Sequence, residues 1–251
     1  MPSVSYRIER AIEQVQKTDS VVLSVNSKKK SLIKFGRNDD LSTTKETVWQ
    51  VGGMEAYPVS TNTINTLVST SESDTGDVVI EGHTITDGVV TFVTQTLTLN
   101  GTTDVPLTTP LWRANRLYND GATDFVGNVT VRIDGGTTHL SAIVGSNQSL
   151  KAATSISSND YWFVTGLSFG VNRQQTRNVD FEFQVREYGK VFRTKYYVSH
   201  TSASGHFFMD LDPVFIVPSR ADVRVVATSS STGTGVVAAM HGYLASVVDT
   251  F

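Results

Sequence analysis

Val179-Asp180-Phe181-Glu182-Phe183-Gln184-Val185-Arg186 reads as a β-strand with two chemically different faces. Side chains alternate across a strand, so Val179, Phe181, Phe183 and Val185 line one face and Asp180, Glu182, Gln184 and Arg186 the other. That pattern predicts a sheet with one buried and one wet face, as antiparallel sheets have. Asp222-Val223-Arg224-Val225 repeats it, and Val226 then breaks the alternation, which predicts deeper burial at that end. Val129, Val131 and Ile133 alternate with Thr130, Arg132 and Asp134 before Gly135-Gly136 ends the run.

Turn signals spread outward from these strands. Glu81-Gly82 and Asp87-Gly88 separate three strand candidates, residues 77–80, 83–86 and 89–99. Asn100-Gly101 then follows Leu97-Thr98-Leu99, the signal for a two-residue hairpin with positive φ at both positions. Of the 251 residues 39% are apolar and 18% charged, which excludes a disordered polyelectrolyte. Counted along the chain, 34 Val, 32 Thr and 26 Ser favour strands over helices. No apolar run approaches the ~18 residues of a membrane-spanning helix. The fold class is therefore all-β: antiparallel β-sandwich or jelly-roll-like modules with a short N-terminal helix and an extended arm. The expected division is an arm with its helix over 1–53, a first β module over 54–145 and a second β-sandwich module over 146–251. Gly145-Ser146-Asn147-Gln148-Ser149 marks the boundary.

Residues 5–16 carry the one helical stripe, Ile8, Ala11, Ile12 and Val15 at i, i+3, i+4 and i+7. About three turns are marginal alone, so the stripe is expected to dock on its own body or a neighbour. Ser20-Val21-Val22-Leu23-Ser24-Val25 is a short strand candidate, and the polar residues 34–53 read as an extended arm. Residues 1–37 hold eight Lys and Arg against three acids (+5), and the other 214 residues 13 against 21 (−8). A basic arm on an acidic body suits a partner of negative surface charge. No aromatic interleaves with Lys28-Lys29-Lys30, so single-stranded nucleic acid lacks its stacking platform.

Candidate chemistry is sparse. With no cysteine, disulfides, thiolate metal sites and a cysteine nucleophile are excluded. The start of the chain meets charge early and has no apolar core of signal-peptide length, so folding in a cytoplasm is expected. His83, His139, His200, His206 and His241 show no zinc-pair spacing. Asp210-Leu211-Asp212-Pro213 and Asn38-Asp39-Asp40 lack the spacing of a calcium loop and read as turns. Gly166-Leu167-Ser168-Phe169-Gly170 fits the Gly-x-Ser-x-Gly nucleophile elbow, yet no helix pattern follows it, and a short glycine-bounded turn is the preferred reading. A hydrolase would need a histidine within reach of Ser168, or two carboxylates facing across a cleft. Gly233-Thr234-Gly235-Val236-Val237-Ala238 has too little chain after it for a dinucleotide-binding unit. Asn100, Asn128 and Asn147 begin sequons at the frequency chance predicts. Trp112 with Tyr118, and Tyr161-Trp162-Phe163, are read as core or subunit interface ahead of a sugar platform.

Several stretches resemble a family of tailed-bacteriophage virion structural proteins. They are Lys34-Phe35-Gly36-Arg37-Asn38 with residues 46–53, the run from Val79 to Leu99 with Asn100-Gly101-Thr102, Pro106-Leu107 and residues 113–117, Gly127 to Val131 with Asn147 to Leu150, and residues 185–192. Glu72-Ser73-Asp74-Thr75-Gly76 is more acidic than that family's pattern, and the N-terminal helix has no counterpart in it. The resemblance implies a non-enzymatic virion component without a cofactor or metal, made in the host cytoplasm. A capsid decoration (cement) protein is the favoured placement, bridging subunits of the major capsid protein, with head–tail or tail accessory protein as the alternative. A carbohydrate-binding β-sandwich is the competing class. Self-association, a trimer first, is expected; a membrane is not, and nucleic acid is disfavoured. The expected docking residues are Ile8, Ile12 and Val15, with Lys28, Lys29 and Lys30 steering the approach electrostatically.

Overall fold

The structure, a computed structural model, describes residues 29–58, 61–172, 177–201, 203 and 205–246. The helical stripe of residues 5–16 and Lys28 lie outside the described residues. Among those described, the regular elements are strands, arranged as two β-sandwich modules.

In the second module one sheet runs β1 (Lys29–Leu41), β16 (Thr234–Ser246), β11 (Asp160–Asn172), β14 (His206–Val217), every neighbour antiparallel. The facing sheet runs β10 (Ala153–Ser155), β15 (Asp222–Ser229), β12 (Asn178–Arg186), β13 (Arg193–Thr201), and β2 (Glu46–Thr47) also pairs with β15. Residues 29–47, grouped with the arm by sequence, thus supply β1 and β2 to this sandwich. The strand over 179–186 supplies the core as its alternation requires. Val179, Phe181 and Phe183 are fully buried against Trp162, Phe169 and Met240, and the Phe169 and Phe181 rings stack at 4.9 Å.

The first module pairs β6 (Val105–Leu111), β3 (Ile64–Ser69), β8 (Val129–Arg132) and β9 (Thr138–Ala142) in one sheet, and β5 (Val89–Thr98), β4 (Asp77–Thr86) and β7 (Arg113–Asn119) in the other. Ile64, Leu67, Ile80, Leu111, Leu117 and Leu140 fill its core.

Several local expectations differ from the structure. Asn38-Asp39-Asp40 and Asp210-Leu211-Asp212-Pro213, read as turns, lie inside β1 and β14. Glu81-Gly82 is not a turn: β4 runs through it, and glycine is needed because a Cβ there would stand 2.3 Å from the Arg113 carbonyl oxygen. The hairpin with positive φ at both turn positions is Asp87-Gly88 (51° and 77°), joining β4 to β5. At Asn100-Gly101 only Gly101 takes positive φ, its N–H bonds to Asp74 O at 2.9 Å, and β6 goes to β3 rather than back onto β5. The Gly166–Gly170 stretch is the interior of β11, paired on both sides. Its glycines make room for neighbours: a Cβ at Gly166 would reach the Phe208 ring at 3.0 Å, and one at Gly170 the Val237 side chain at 2.9 Å.

At Gly36 on β1 the sandwich and the segment after β2 approach closely. A Cβ there would lie 2.1 Å from Val48 O and 2.3 Å from Ala152 N, both backbone atoms that cannot swing away. Gly36→Ala is therefore expected to cost about 3 kcal/mol, the upper end of ordinary overpacking. Gly76→Ala, with nothing within 4 Å and no positive φ, should stay within about 0.5 kcal/mol of wild type. Urea denaturation of the two variants checks the contrast.

Candidate functional site

The polar face of the β15–β12 sheet is covered at one end and partly exposed at the other, where Asp180 and Glu182 stand. Asp222, Arg224 and Gln184 are buried, beneath the first module and the segment before β3. The Asp222 carboxylate is the centre. Arg113, from β7 of the first module, holds it with two parallel bonds, Nε to Oδ1 at 2.9 Å and an Nη to Oδ2 at 3.2 Å. Arg186 donates to Oδ2 from Nε at 3.0 Å and from an Nη, and Ser155 Oγ donates to Oδ1 at 2.6 Å. Arg113 also reaches the Pro58 carbonyl at 2.5 Å, and the Tyr57 ring lies under the guanidinium groups of Arg113 (5.0 Å) and Arg186 (4.6 Å). Burial alone would raise the Asp222 pKa; the charge and hydrogen bonds of Arg113, then Arg186 and Ser155, outweigh it and hold the group below the usual carboxylate range.

A second buried pair stands beside the first. Lys151 Nζ donates to Glu55, to Ala114 O at 2.7 Å and to His139 O at 3.2 Å, which uses all three of its protons. Lys34, on β1, is buried too and donates to Asn115 O at 2.6 Å. Burial, then the Lys151 charge, lowers its pKa to about 7. These contacts cross between the modules, and the periodicity of each strand separately could not reveal them.

Beside Lys34 opens a cleft of about 490 Å³, walled by Lys30 and Leu32 of β1, by His83 and Phe92, and by Arg116 and Ser157. His83 Nδ1 meets the Asn115 side-chain amide at 2.9 Å and Nε2 meets Ser157 Oγ at 3.2 Å. Lys29, by contrast, lies over the Tyr243 ring at 5.5 Å. Of the sequence-predicted docking residues, then, Lys30 lines this cleft and Lys29 sits on the outer face of the β1–β16–β11–β14 sheet. Ile8, Ile12, Val15 and Lys28 fall outside the described residues.

Among the described residues that outer face is open, and it mixes large apolar side chains with Lys29, Arg37, His206 and Asp210. Ile33 (54% exposed), Phe35, Phe208 (52%), Ile216 (50%) and Val237 stand on it, with Phe163 and Tyr243 stacked at 5.0 Å between them. Trp112 and Trp162, two members of the aromatic clusters, are instead fully buried.

Ser168 lies on the same face, and its Oγ is 3.4 Å from His241 Nε2. This is the histidine contact a serine hydrolase would require, at the long end of hydrogen-bond reach. The surroundings differ from a nucleophile elbow: Ser168 is mid-strand, between Phe208 and Ala239. The His241 ring rests edge-on against Phe208 at 5.9 Å, and its pKa is lowered by burial and then by the His206 charge. Among the described residues no three His, Asp or Glu side chains gather to hold a metal.

No family model and no curated protein matches the chain. Among solved structures, similarity is found to infectious bursal disease virus of the Gx strain (TM-score 0.20, 6% identity, 89% of this chain and 78% of that one). The Gt strain gives TM-score 0.20 and 9% identity over 86% and 71%, and the VP2 subviral particle of the same virus 0.21 and 8% over 86% and 75%. Scores this low establish no shared topology.

The buried histidines set an acid limit on the fold. Burial lowers His83 to about 4 and His139, beside the Lys151 charge, to about 3, whereas both take up protons near 6.5 once unfolded. The unfolded chain thus binds more protons below 6.5, so stability is full above that pH and falls as pH drops toward 4. The slope is about 1.4 kcal/mol per pH unit for each histidine. Urea unfolding at pH 7.0 and pH 5.0 should show this loss, and His83→Gln should remove roughly half of it.

Proposed function

We propose that this chain is a non-enzymatic structural component of a tailed-phage virion, most specifically a capsid decoration (cement) protein. The observation that carries the reading is the exposure of Ile33, Phe35, Phe208, Ile216 and Val237 on one sheet face. Large apolar side chains gathered exposed on one sheet face mark a protein–protein contact. The sequence motifs that resemble phage virion proteins supply the context. A cement protein bridges shell subunits without covalent bonds, and a chain with no cysteine must do so through burial and charge.

In this reading the face meets the major capsid protein or another copy of the chain, with a trimer as the favoured assembly. Symmetry multiplies weak contacts through effective concentration. Ile8, Ile12 and Val15 dock the arm on the neighbour, and Lys28, Lys29 and Lys30 steer it. The Ser168–His241 contact is assigned no catalytic part, since its hydroxyl lies within a paired strand with ladder neighbours on both sides.

Quantitative mass spectrometry of purified virions is expected to give a ratio approaching one copy per major capsid subunit. A dozen copies or fewer would move the protein to the head–tail junction or tail, and absence would refute the virion reading. Phe208→Asp with Ile216→Asp should fold normally, both side chains being half exposed, and fail to decorate heads. Ile8→Asp with Ile12→Asp should lower occupancy; unchanged decoration would remove the arm from the contact.

A further inference from the structure

Beside the Asp222 cluster lies a second cavity, of about 290 Å³, built from both modules. Trp112 and Arg113 come from the first; Arg186, Asp222 and the turn Tyr188-Gly189-Lys190 between β12 and β13 come from the second. The turn is held by the Lys190 N–H bonding to Glu187 O at 3.0 Å, with Gly189 at a φ of 72°.

The hydrogen-bonding groups of this cavity do not balance. Trp112 is 1% exposed, and its indole N–H, which can only donate, has no partner. Buried polar atoms are nearly always paired, so an unpaired donor on a cavity wall asks for an acceptor inside it. Arg186 spends Nε and one Nη on Asp222, and among the described residues its other Nη has no acceptor. Lys190 is exposed, and its ammonium likewise has no partner among the described residues. The one carboxylate on the wall is already occupied, since Asp222 accepts from Arg113, Arg186 and Ser155. Arg113, Arg186 and Lys190 against Asp222 leave two positive charges on the lining. Arg220, over the Tyr188 ring at 3.9 Å, adds another beside it.

We propose that this cavity binds a small organic oxyanion, a carboxylate or phosphate group carried on a compact polar body the size of a sugar. The oxyanion supplies the acceptors that the Trp112 indole, the second Arg186 Nη and the Lys190 ammonium lack. Guanidinium groups suit both kinds of oxyanion, because their planar fork matches either geometry. A neutral ligand could answer the indole N–H but would leave the positive charge unmatched, and a cation would be repelled. The volume is at the small end of ligand pockets, yet more than a bare ion needs. The Tyr188 ring, 6.2 Å from that of Trp112 and tilted 55° to it, offers the carrier an apolar surface. The site stands whether or not the chain decorates capsids.

Trp49, Trp112 and Trp162 give three indole signals in a proton–nitrogen correlation spectrum of the intact chain. That of Trp112 is assigned through its packing on Ile85 and Val90. Titration with glucuronate and with glucose 1-phosphate, at constant ionic strength, is expected to move this signal downfield to saturation, while glucose leaves it in place. Tighter binding of the first would identify the group as a carboxylate and of the second as a phosphate; either supports the site. Lys190→Gln changes an exposed turn residue, so it should fold as wild type and bind about tenfold more weakly, the loss of one charge-assisted bond. A Trp112 signal that ignores both anions, follows glucose equally, or saturates at the same concentration in Lys190→Gln would overturn the proposal.

Discussion

Everything in this molecule turns on a carboxylate that cannot be left alone. Asp222 is buried between two β-sandwiches, and an unpaired buried charge would cost more than most folds can tolerate. Arg113, Arg186 and Ser155 surround it, and of these Arg113 belongs to the other module. The forked guanidinium fixes direction as well as distance, so the two sandwiches have one relative placement in which Asp222 is satisfied. Tyr57 beneath the guanidinium groups and the saturated ammonium of Lys151 extend the same constraint across the junction. Such buried pairs add little net stability against an apolar contact, but removing one partner is costly. Their role here is to set geometry.

The sequence carried the apolar half of this architecture plainly. The alternation over 179–186 and 222–225 gave the strands and the core residues, because periodicity reports which side chains share a face. It does not report what lies over that face. The end of the expected wet side around Asp222 became the intermodule junction, unannounced because Arg113 and Asp222 lie 109 residues apart and neither strand carries a local sign of the other. The same limit governs the open sheet face: Ile33, Phe208 and Val237 come from three strands distant in sequence. The glycine-bounded stretch at Ser168 misled differently. Glycine there signals close approach of Phe208 and Val237 rather than a turn. Turn chemistry was legible in kind but not in place, as the exchange of Asn100-Gly101 for Asp87-Gly88 shows.

A body locked in this way is suited to presenting surfaces rather than to moving. Its β1 strand is drawn from the start of the described chain into a sheet with the last described strand, which ties distant parts of the sequence into one sandwich. The result is a body with large apolar side chains exposed on one sheet face and the lysines of β1 at the edge of that sheet. The virion reading asks for those features, and none of them depends on catalysis.

Scanning calorimetry of the intact protein and of Asp222→Asn tests the central claim most directly. If the buried cluster makes the modules one cooperative unit, wild type shows a single transition whose calorimetric and van't Hoff enthalpies agree. Asp222→Asn then separates or broadens that transition. Two independent transitions in the wild type, or an unchanged single one in the variant, would contradict the account.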